Sequence, residues 1–542
     1  MKRGISKMWN LADVFDAVAD AIPDSPALIH GASTLSWGEL NQNANNLARF
    51  IEKIASKRQI CVAQYLFNSN EYIESLIAIF KAGLRPVNTN YRYVDDELIY
   101  LFDNSEAEIV IFHGSFVDRI ESIKDRLQTV KTWIYVDDGT LPKPDFALDY
   151  AQIISEPFDT ENYYPNWGRQ GDDLYLLYTG GTTGMPKGVM WRQDDLFCLL
   201  NSSNLVQWPE DSGPDYIREN LKTNGTVHLP ACPLMHGTGA FTSFAALFAG
   251  GCVVTLEKRN FDPIELLDTI DRHGVQTLAI VGDAFAKPIL KTLDEFPGRW
   301  SLSSLIAILS SGVMWSEATK EGLLRHKPSL LLADLFSSSE ALGIGTSIST
   351  GNAATHTASF RLGENATVLG DDNTVIEPGS KKIGRLALRG RTPIGYLGDE
   401  EKSKQTFPVV DGIRYSIPGD YALVEEDGSI QILGRGSVCI NTGGEKVFPE
   451  EVEEVLKTFP QVLDAIVVGV PDDRFGEIVR AAVVTDNGVQ LNKENIQQFM
   501  RSHLAAYKIP KTVLFVDSAR RSPSGKLDYS YWKDVMSSIN ND

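Results

Sequence analysis

Apolar residues recur at helical spacing from the start of the chain. Leu11, Val14, Phe15, Val18 and Ile22 form one stripe, Asn10 stands where a helix cap is wanted, and Pro23 follows the last apolar position. A second helix is predicted from Ser36-Trp37-Gly38-Glu39, whose serine and glutamate have capping-box spacing, and it runs through Leu40, Ala44, Leu47 and Ile51. The period then changes. Ile60 to Leu66 is an apolar run of strand length, Ile73, Leu76, Ile77 and Phe80 return to helical spacing before Gly83, and Ile109 to Phe112 and Thr132 to Val136 are strand-like again. Strands that alternate with helices imply α/β layers with parallel pairing.

Thr277 to Val281 and Leu305 to Leu309 read as buried parallel strands that end in Gly282-Asp283 and Ser310-Ser311-Gly312. Ligands of open α/β sheets sit beyond the carboxyl ends of the strands, so these small residues are expected to line a site. A further run, Leu330 to Ala333, opens into Asp334-Leu335-Phe336-Ser337-Ser338-Ser339-Glu340, which on the residues alone is a strand followed by a helix cap. Val438 to Pro449 is rich in glycine and polar residues. The next helix has Pro449 in its first turn, Glu450 and Glu451 at its positive end, and Val452, Val455 and Leu456 facing inward. With the apolar runs Ala465 to Val470 and Ala481 to Val484, the last hundred or so residues make a small α+β domain of their own.

Composition narrows the class. A chain of 542 residues with 43% hydrophobic content supports two or more domains. Its 51 basic and 71 acidic residues give a net charge of −20, which disfavours nucleic acid and anionic membranes as partners and requires local donor clusters for any anionic ligand. Cys61, Cys198, Cys232, Cys252 and Cys439 are scattered without metal-ligand spacing and read as reduced, mostly buried thiols. The longest apolar stretch, Ala240 to Leu256, is broken by Gly250-Gly251, and the N-terminus lacks an apolar signal core, so a cytoplasmic protein without an integral membrane segment is expected.

Chemistry concentrates in Tyr178-Thr179-Gly180-Gly181-Thr182-Thr183-Gly184-Met185-Pro186-Lys187-Gly188-Val189, which follows the apolar run Leu174 to Leu177. Its glycines let the backbone approach a ligand closely, and three threonine hydroxyls with Lys187 offer donors to one compact anion. The flanking of Lys187 by Pro186 and Gly188 departs from G-x-x-x-x-G-K-[ST], which disfavours a P-loop NTPase. The stretch resembles the phosphate loop of the adenylate-forming superfamily, in which a serine usually stands at the position of Gly180. Four more segments resemble motifs of that superfamily in the same order. Phe336 to Glu340 is similar to Y-G-x-T-E, with Phe336 and Ser337 as departures. Tyr415-Ser416-Ile417-Pro418-Gly419-Asp420 is similar to Y-R-T-G-D, Gly434-Arg435-Gly436-Ser437 to the start of the hinge, and Pro523-Ser524-Gly525-Lys526 to P-x-x-G-K.

The resemblance implies an acyl-CoA synthetase, in which a carboxylate attacks the α-phosphorus of ATP, expels pyrophosphate, and is then passed from AMP to the thiol of CoA. It implies catalytic roles for Lys526, Glu340 and His236. Glu340 would hold Mg2+, Lys526 would reach the phosphates, and His236 of Pro233-Leu234-Met235-His236 would line and gate the acyl pocket, with Phe241 and Phe244 as apolar wall. ATP and CoA would be met by Thr179, Gly180, Gly181, Thr182, Thr183, Gly184, Lys187, Ser311, Gly312, Asp334, Phe336, Ser339, Asp420, Arg435 and Gly444. Asp420 is suited to accept both ribose hydroxyls. Asn441 stands where members commonly carry a lysine.

The fold implied is a large α/β N-terminal domain of several subdomains with mostly parallel sheets, residues 1–434, and a small mobile α+β C-terminal domain, residues 435–542, hinged at about Arg435 to Ser437. The acid is expected to be hydrophobic, of bulky alicyclic or sterol-side-chain type, with medium- or long-chain fatty acids next and Gly282 leaving room for it. An acyl-AMP ligase serving a carrier protein and a non-catalytic ATP-binding protein are the alternatives. A homodimer is left open.

Overall fold

The caps written into the sequence set the first elements. Asn10 accepts the Ala12 amide at 3.0 Å and starts the helix Leu11–Ala21, and Ser36 and Glu39 close a reciprocal capping box on the helix Trp37–Ile54. The structure, a computed structural model, describes residues 8–155, 163–181, 184–204, 206–351, 355–442, 445–472, 475–485, 491–521 and 527–539. Among these residues three sheets form, of fifteen, eight and five strands.

The eight-stranded sheet is parallel through Arg85–Asn88, Cys61–Tyr65, Ala107–His113 and Thr132–Val136, and the hairpin of Leu174–Gly181 with Gly184–Arg192 is added at the edge of that run. The fifteen-stranded sheet begins in the same manner. Strands Val227–Pro230, Thr277–Ile280, Ala307–Ser310 and Leu331–Ser338 run parallel, as the apolar runs predict. From Ala341–Ser349 onward its pairing is antiparallel, through Ser359–Leu362, Ser429–Arg435, Asp420–Val424 and Ile383–Arg389. Parallel pairing therefore describes the layered half of the molecule, and an antiparallel extension carries the later motifs.

The layers follow from which side chains cluster. Helices Leu11–Ala21, Trp37–Ile54, Asn70–Lys81 and Gly237–Phe248 fill the space between the two large sheets, burying Phe15, Leu47, Ile77 and Phe244 with Ile111 from one sheet and Val253 from the other. Helices Pro263–His273, Asp283–Glu295 and Glu317–His326 cover the far face of the fifteen-stranded sheet, and Asp95–Asn104 with Val117–Ile123 cover the far face of the eight-stranded one. The run Ala240 to Leu256 is divided at its two glycines into the end of a buried helix and the strand Cys252–Thr255. No described helix is long and apolar enough to cross a membrane. The five-stranded sheet, with Gly476–Thr485 at its heart, has its own apolar clusters on both faces.

Candidate active site

The segment Leu331–Ser338 does not lead into a helix. It turns back at Ser339 and Glu340 and pairs antiparallel with Ala341–Ser349, matching Ser338 with Ala341 and Phe336 with Gly345. Local serines close this tip, the Ser338 hydroxyl accepting the Glu340 amide and the Ser337 hydroxyl the Gly343 amide, each at 3.2 Å. Three other parts of the chain hold it in place. The Trp191 indole donates to the Ser339 carbonyl at 2.9 Å, the Ser416 hydroxyl to the Glu340 carbonyl at 2.7 Å, and the Tyr396 hydroxyl to the Glu340 carboxylate at 2.8 Å.

The phosphate-loop hairpin meets this tip through Tyr396. Thr179 lies opposite Lys187, and the short strand Gly395–Tyr396 pairs with Val189 and Met190 of the same hairpin. The Lys187 ammonium lies 5.6 Å from the centre of the Tyr396 ring and 3.0 Å from Asp399, which also caps the helix Glu400–Thr406. Asn88, at the carboxyl end of its strand, binds both the hairpin and the histidine segment. It accepts the Tyr178 amide at 2.7 Å and donates to the carbonyls of Tyr178 at 2.9 Å and Met235 at 2.6 Å. His236 then precedes the helix Gly237–Phe248, its amide donating to the Pro233 carbonyl at 3.1 Å.

Ser311 and Gly312 lie at the end of Ala307–Ser310, and a carbon added to Gly312 would stand 3.9 Å from the Thr238 hydroxyl, beside the histidine segment. Asp420 and Arg435 sit opposite each other on adjacent strands, with Arg435 Nε 3.3 Å from Asp420. Asp420 first, and Glu340 to a lesser degree, hold the Arg435 guanidinium charged, which places the metal candidate and the ribose candidate in one electrostatic neighbourhood. Phe336 stacks obliquely on Phe360 at 5.4 Å.

Asp334 is buried on the same strand as Phe336, 3.7 Å from the buried Lys320. Burial pushes its carboxyl up to about 7 although Lys320 opposes this. Lys320 also donates to Thr355 at 3.3 Å, so Asp334 belongs to an internal polar network. Thr182, Thr183, Gly444 and Lys526 lie outside the described residues.

Two expectations about the acyl wall change. Phe244 is core, packed against Phe15, Phe80 and Tyr175 with ring centres 5.9–6.5 Å apart, and Gly282 faces the backbone of Val313 and Met314. Asn88, Trp191, Tyr396 and Asp399 were not singled out by sequence. The Gly395-Tyr396-Leu397-Gly398 segment carried the clearest signal, an aromatic between glycines after a strand. A separate cavity of about 780 Å3 is lined by Tyr65, Tyr91, Arg92, Phe116 and Arg119 among others. Phe67 stacks on Phe116 at 4.9 Å, and the next residue, Asn68, donates to the Cys232 carbonyl and accepts the Leu234 amide, beside the histidine segment.

The family described as AMP-binding enzyme matches residues 15–396, and the family described as AMP-binding enzyme C-terminal domain matches residues 451–526. The chain is 40% identical over 537 residues to a 3-oxocholest-4-en-26-oate–CoA ligase of Rhodococcus rhodochrous, covering 97% of this chain and 95% of that protein. It is 38% identical to a medium/long-chain-fatty-acid–CoA/3-oxocholest-4-en-26-oate–CoA ligase of Mycolicibacterium smegmatis, covering 97% and 96%. Among solved structures, the anthranilate CoA ligase AuaEII with anthranoyl-AMP superposes with a TM-score of 0.83 at 20% identity, over 97% of each chain. ATP-bound MatB from Rhodopseudomonas palustris superposes at 0.80 and 24% identity, over 97% of this chain and 99% of that one. At these identities the superpositions speak for the fold.

Proposed function

Because the chain belongs to the family of AMP-binding enzymes and is an AMP-forming acyl-CoA synthetase, we propose that its acid is a sterol side-chain carboxylate of the 3-oxocholest-4-en-26-oate class. Medium- or long-chain fatty acids are second, a reading favoured by the double name of the Mycolicibacterium relative. The observation that carries the site assignment is the single linkage Lys187, Tyr396, Glu340, which gathers three segments far apart in sequence around one place.

In this reading the acid's carboxylate oxygen attacks the α-phosphorus of ATP and the bond to pyrophosphate breaks. The CoA sulfur then attacks the acyl carbon, and AMP leaves. Lys187 and the hairpin amides receive charge that builds on phosphate oxygens, Asp420 and Arg435 orient the ribose, and the Phe336 ring offers a stacking face to adenine. Lys526 is read as the further cation for the first step. Among the described residues no group of three or more acidic, histidine or cysteine side chains could hold a metal unaided. A lone carboxylate such as Glu340 is the donor set that suits Mg2+ carried in on substrate phosphates, where the ion would neutralise developing charge.

The test is CoA-dependent AMP release across a panel holding 3-oxocholest-4-en-26-oate, octanoate, palmitate and an aromatic acid. The sterol acid is expected to give the highest kcat/KM. A higher value for either straight-chain acid overturns the substrate assignment, and AMP release that ignores CoA overturns the thioester step.

A further inference from the structure

Tyr396 touches both charged groups on which the first step depends, and its backbone is fastened to one of them. It is 6% exposed, its strand is paired to Val189 and Met190, which begin two residues after Lys187, and the next amide, of Leu397, donates to the Gly188 carbonyl at 2.8 Å. The ring lies 5.6 Å from the Lys187 ammonium, and the hydroxyl donates to Glu340 at 2.8 Å. The ring packs on Phe407 at 5.7 Å, and the Tyr396 amide donates to the Ser403 hydroxyl at 2.8 Å, so the residue has little freedom to turn away.

We propose that Tyr396 is a positioning residue for adenylation. It fixes one oxygen of Glu340, so that the carboxylate is presented to the metal on the nucleotide, and sets that oxygen at a constant distance from Lys187. Asp399, 3.0 Å from Lys187, holds the ammonium in line until phosphate oxygens take its place. This rests on the reading of Glu340 as the magnesium ligand, and the experiment separates the two.

The full-length enzyme is assayed by pyrophosphate release at saturating acid while free Mg2+ is varied. Losing a hydrogen bond to a charged group is expected to raise the Mg2+ concentration for half-maximal rate about tenfold in Tyr396→Phe, which keeps the ring. Tyr396→Leu, which removes the ring as well, should raise KM for ATP by about a further two- to fivefold. Thioester formation from supplied acyl-adenylate should fall less than pyrophosphate release in both. Tyr396→Phe added to Glu340→Gln should cost less than about twofold more, because the phenol acts through the carboxylate. If Glu340→Gln shifts the magnesium requirement and Tyr396→Phe does not, the positioning role is overturned and the Glu340 reading stands. If Glu340→Gln itself leaves the requirement unmoved, both fall. Should Tyr396→Phe not fold, Glu340→Asp draws the carboxylate back from the phenol while keeping its charge, and an unshifted requirement there counts equally against the proposal.

Discussion

Gly282 has φ +52°, and its amide donates to the Ser310 hydroxyl at 2.9 Å. A carbon added at its Cα would lie 2.5 Å from the Met314 carbonyl oxygen and 2.6 Å from that of Val313. The residue is small because a neighbouring backbone crosses it, a reason unrelated to the width of the acyl pocket. Gly282→Ala is accordingly expected to cost about 1–3 kcal/mol through strain and displacement, seen as a lower thermal unfolding midpoint. Gly282→Leu should depress activity with sterol and straight-chain acids alike. A Leu variant that unfolds at the wild-type temperature and loses only the sterol acid would restore the pocket reading.

Among the elements, the phosphate-loop hairpin and the histidine segment owe their relation to one side chain at a strand end. Asn88 answers both backbone groups of Tyr178 and the Met235 carbonyl, and it is buried. Asn88→Ala leaves these backbone groups without that partner in a buried place, and each costs about 1–3 kcal/mol. The expected result is a lower unfolding midpoint together with a raised KM for both ATP and the acid, since the two segments drift apart. An unchanged KM for the acid would show that the tether is structural only.

Elements of this kind differ in how visible they are in sequence. The helices Leu11–Ala21 and Trp37–Ile54 were legible because cap, stripe and stop are local. The parallel strands were legible as apolar runs, and the loop at Lys187 by its composition. The antiparallel extension was not, because its pairs join residues far apart, such as Phe360 with Ile430 or Ser359 with Gln431, and no local pattern records the partner. Phe241 and Phe244 show the same limit. Their spacing serves a pocket wall or a core equally well, and only the packing of Phe244 against Phe15 and Phe80 decides for the core.

At the scale of the whole molecule, the proposed reading asks the small domain for two positions, because in it Lys526 approaches the phosphates in one step and the thiol needs a path to the acyl carbon in the other. Glu450 sits where that movement would be felt. It opens the helix Pro449–Lys457, yet its carboxylate accepts the Arg435 amide at 3.3 Å across the proposed hinge. Its second oxygen lies so close to Gly434 that any side-chain carbon there would overlap it, and that oxygen is buried without a hydrogen-bond partner among the described residues. Burial first, with the like charge of Asp420 and against the bond from Arg435 and its charge, pushes the Glu450 carboxyl up to about 7. Glu453 on its own helix, Tyr529 and Cys439 also face it electrostatically. Glu453 bonds the Val467 amide and the Tyr529 hydroxyl inside the small domain and therefore travels with it.

A Glu450 carboxyl released to water would return to roughly 4.3. The described arrangement thus binds the proton more tightly, is favoured fully below that value, and loses the advantage as pH rises through about 7. Between pH 6 and 8 the ratio of this arrangement to a released one is expected to fall about tenfold. Energy transfer between one fluorophore on each domain reads that ratio directly, and the balance of pyrophosphate exchange against thioester formation should shift over the same interval. Glu450→Gln stays neutral throughout and should flatten both curves while leaving the arrangement itself in place. An equal pH response in Glu450→Gln and in the unaltered enzyme would remove Glu450 from the control of the hinge.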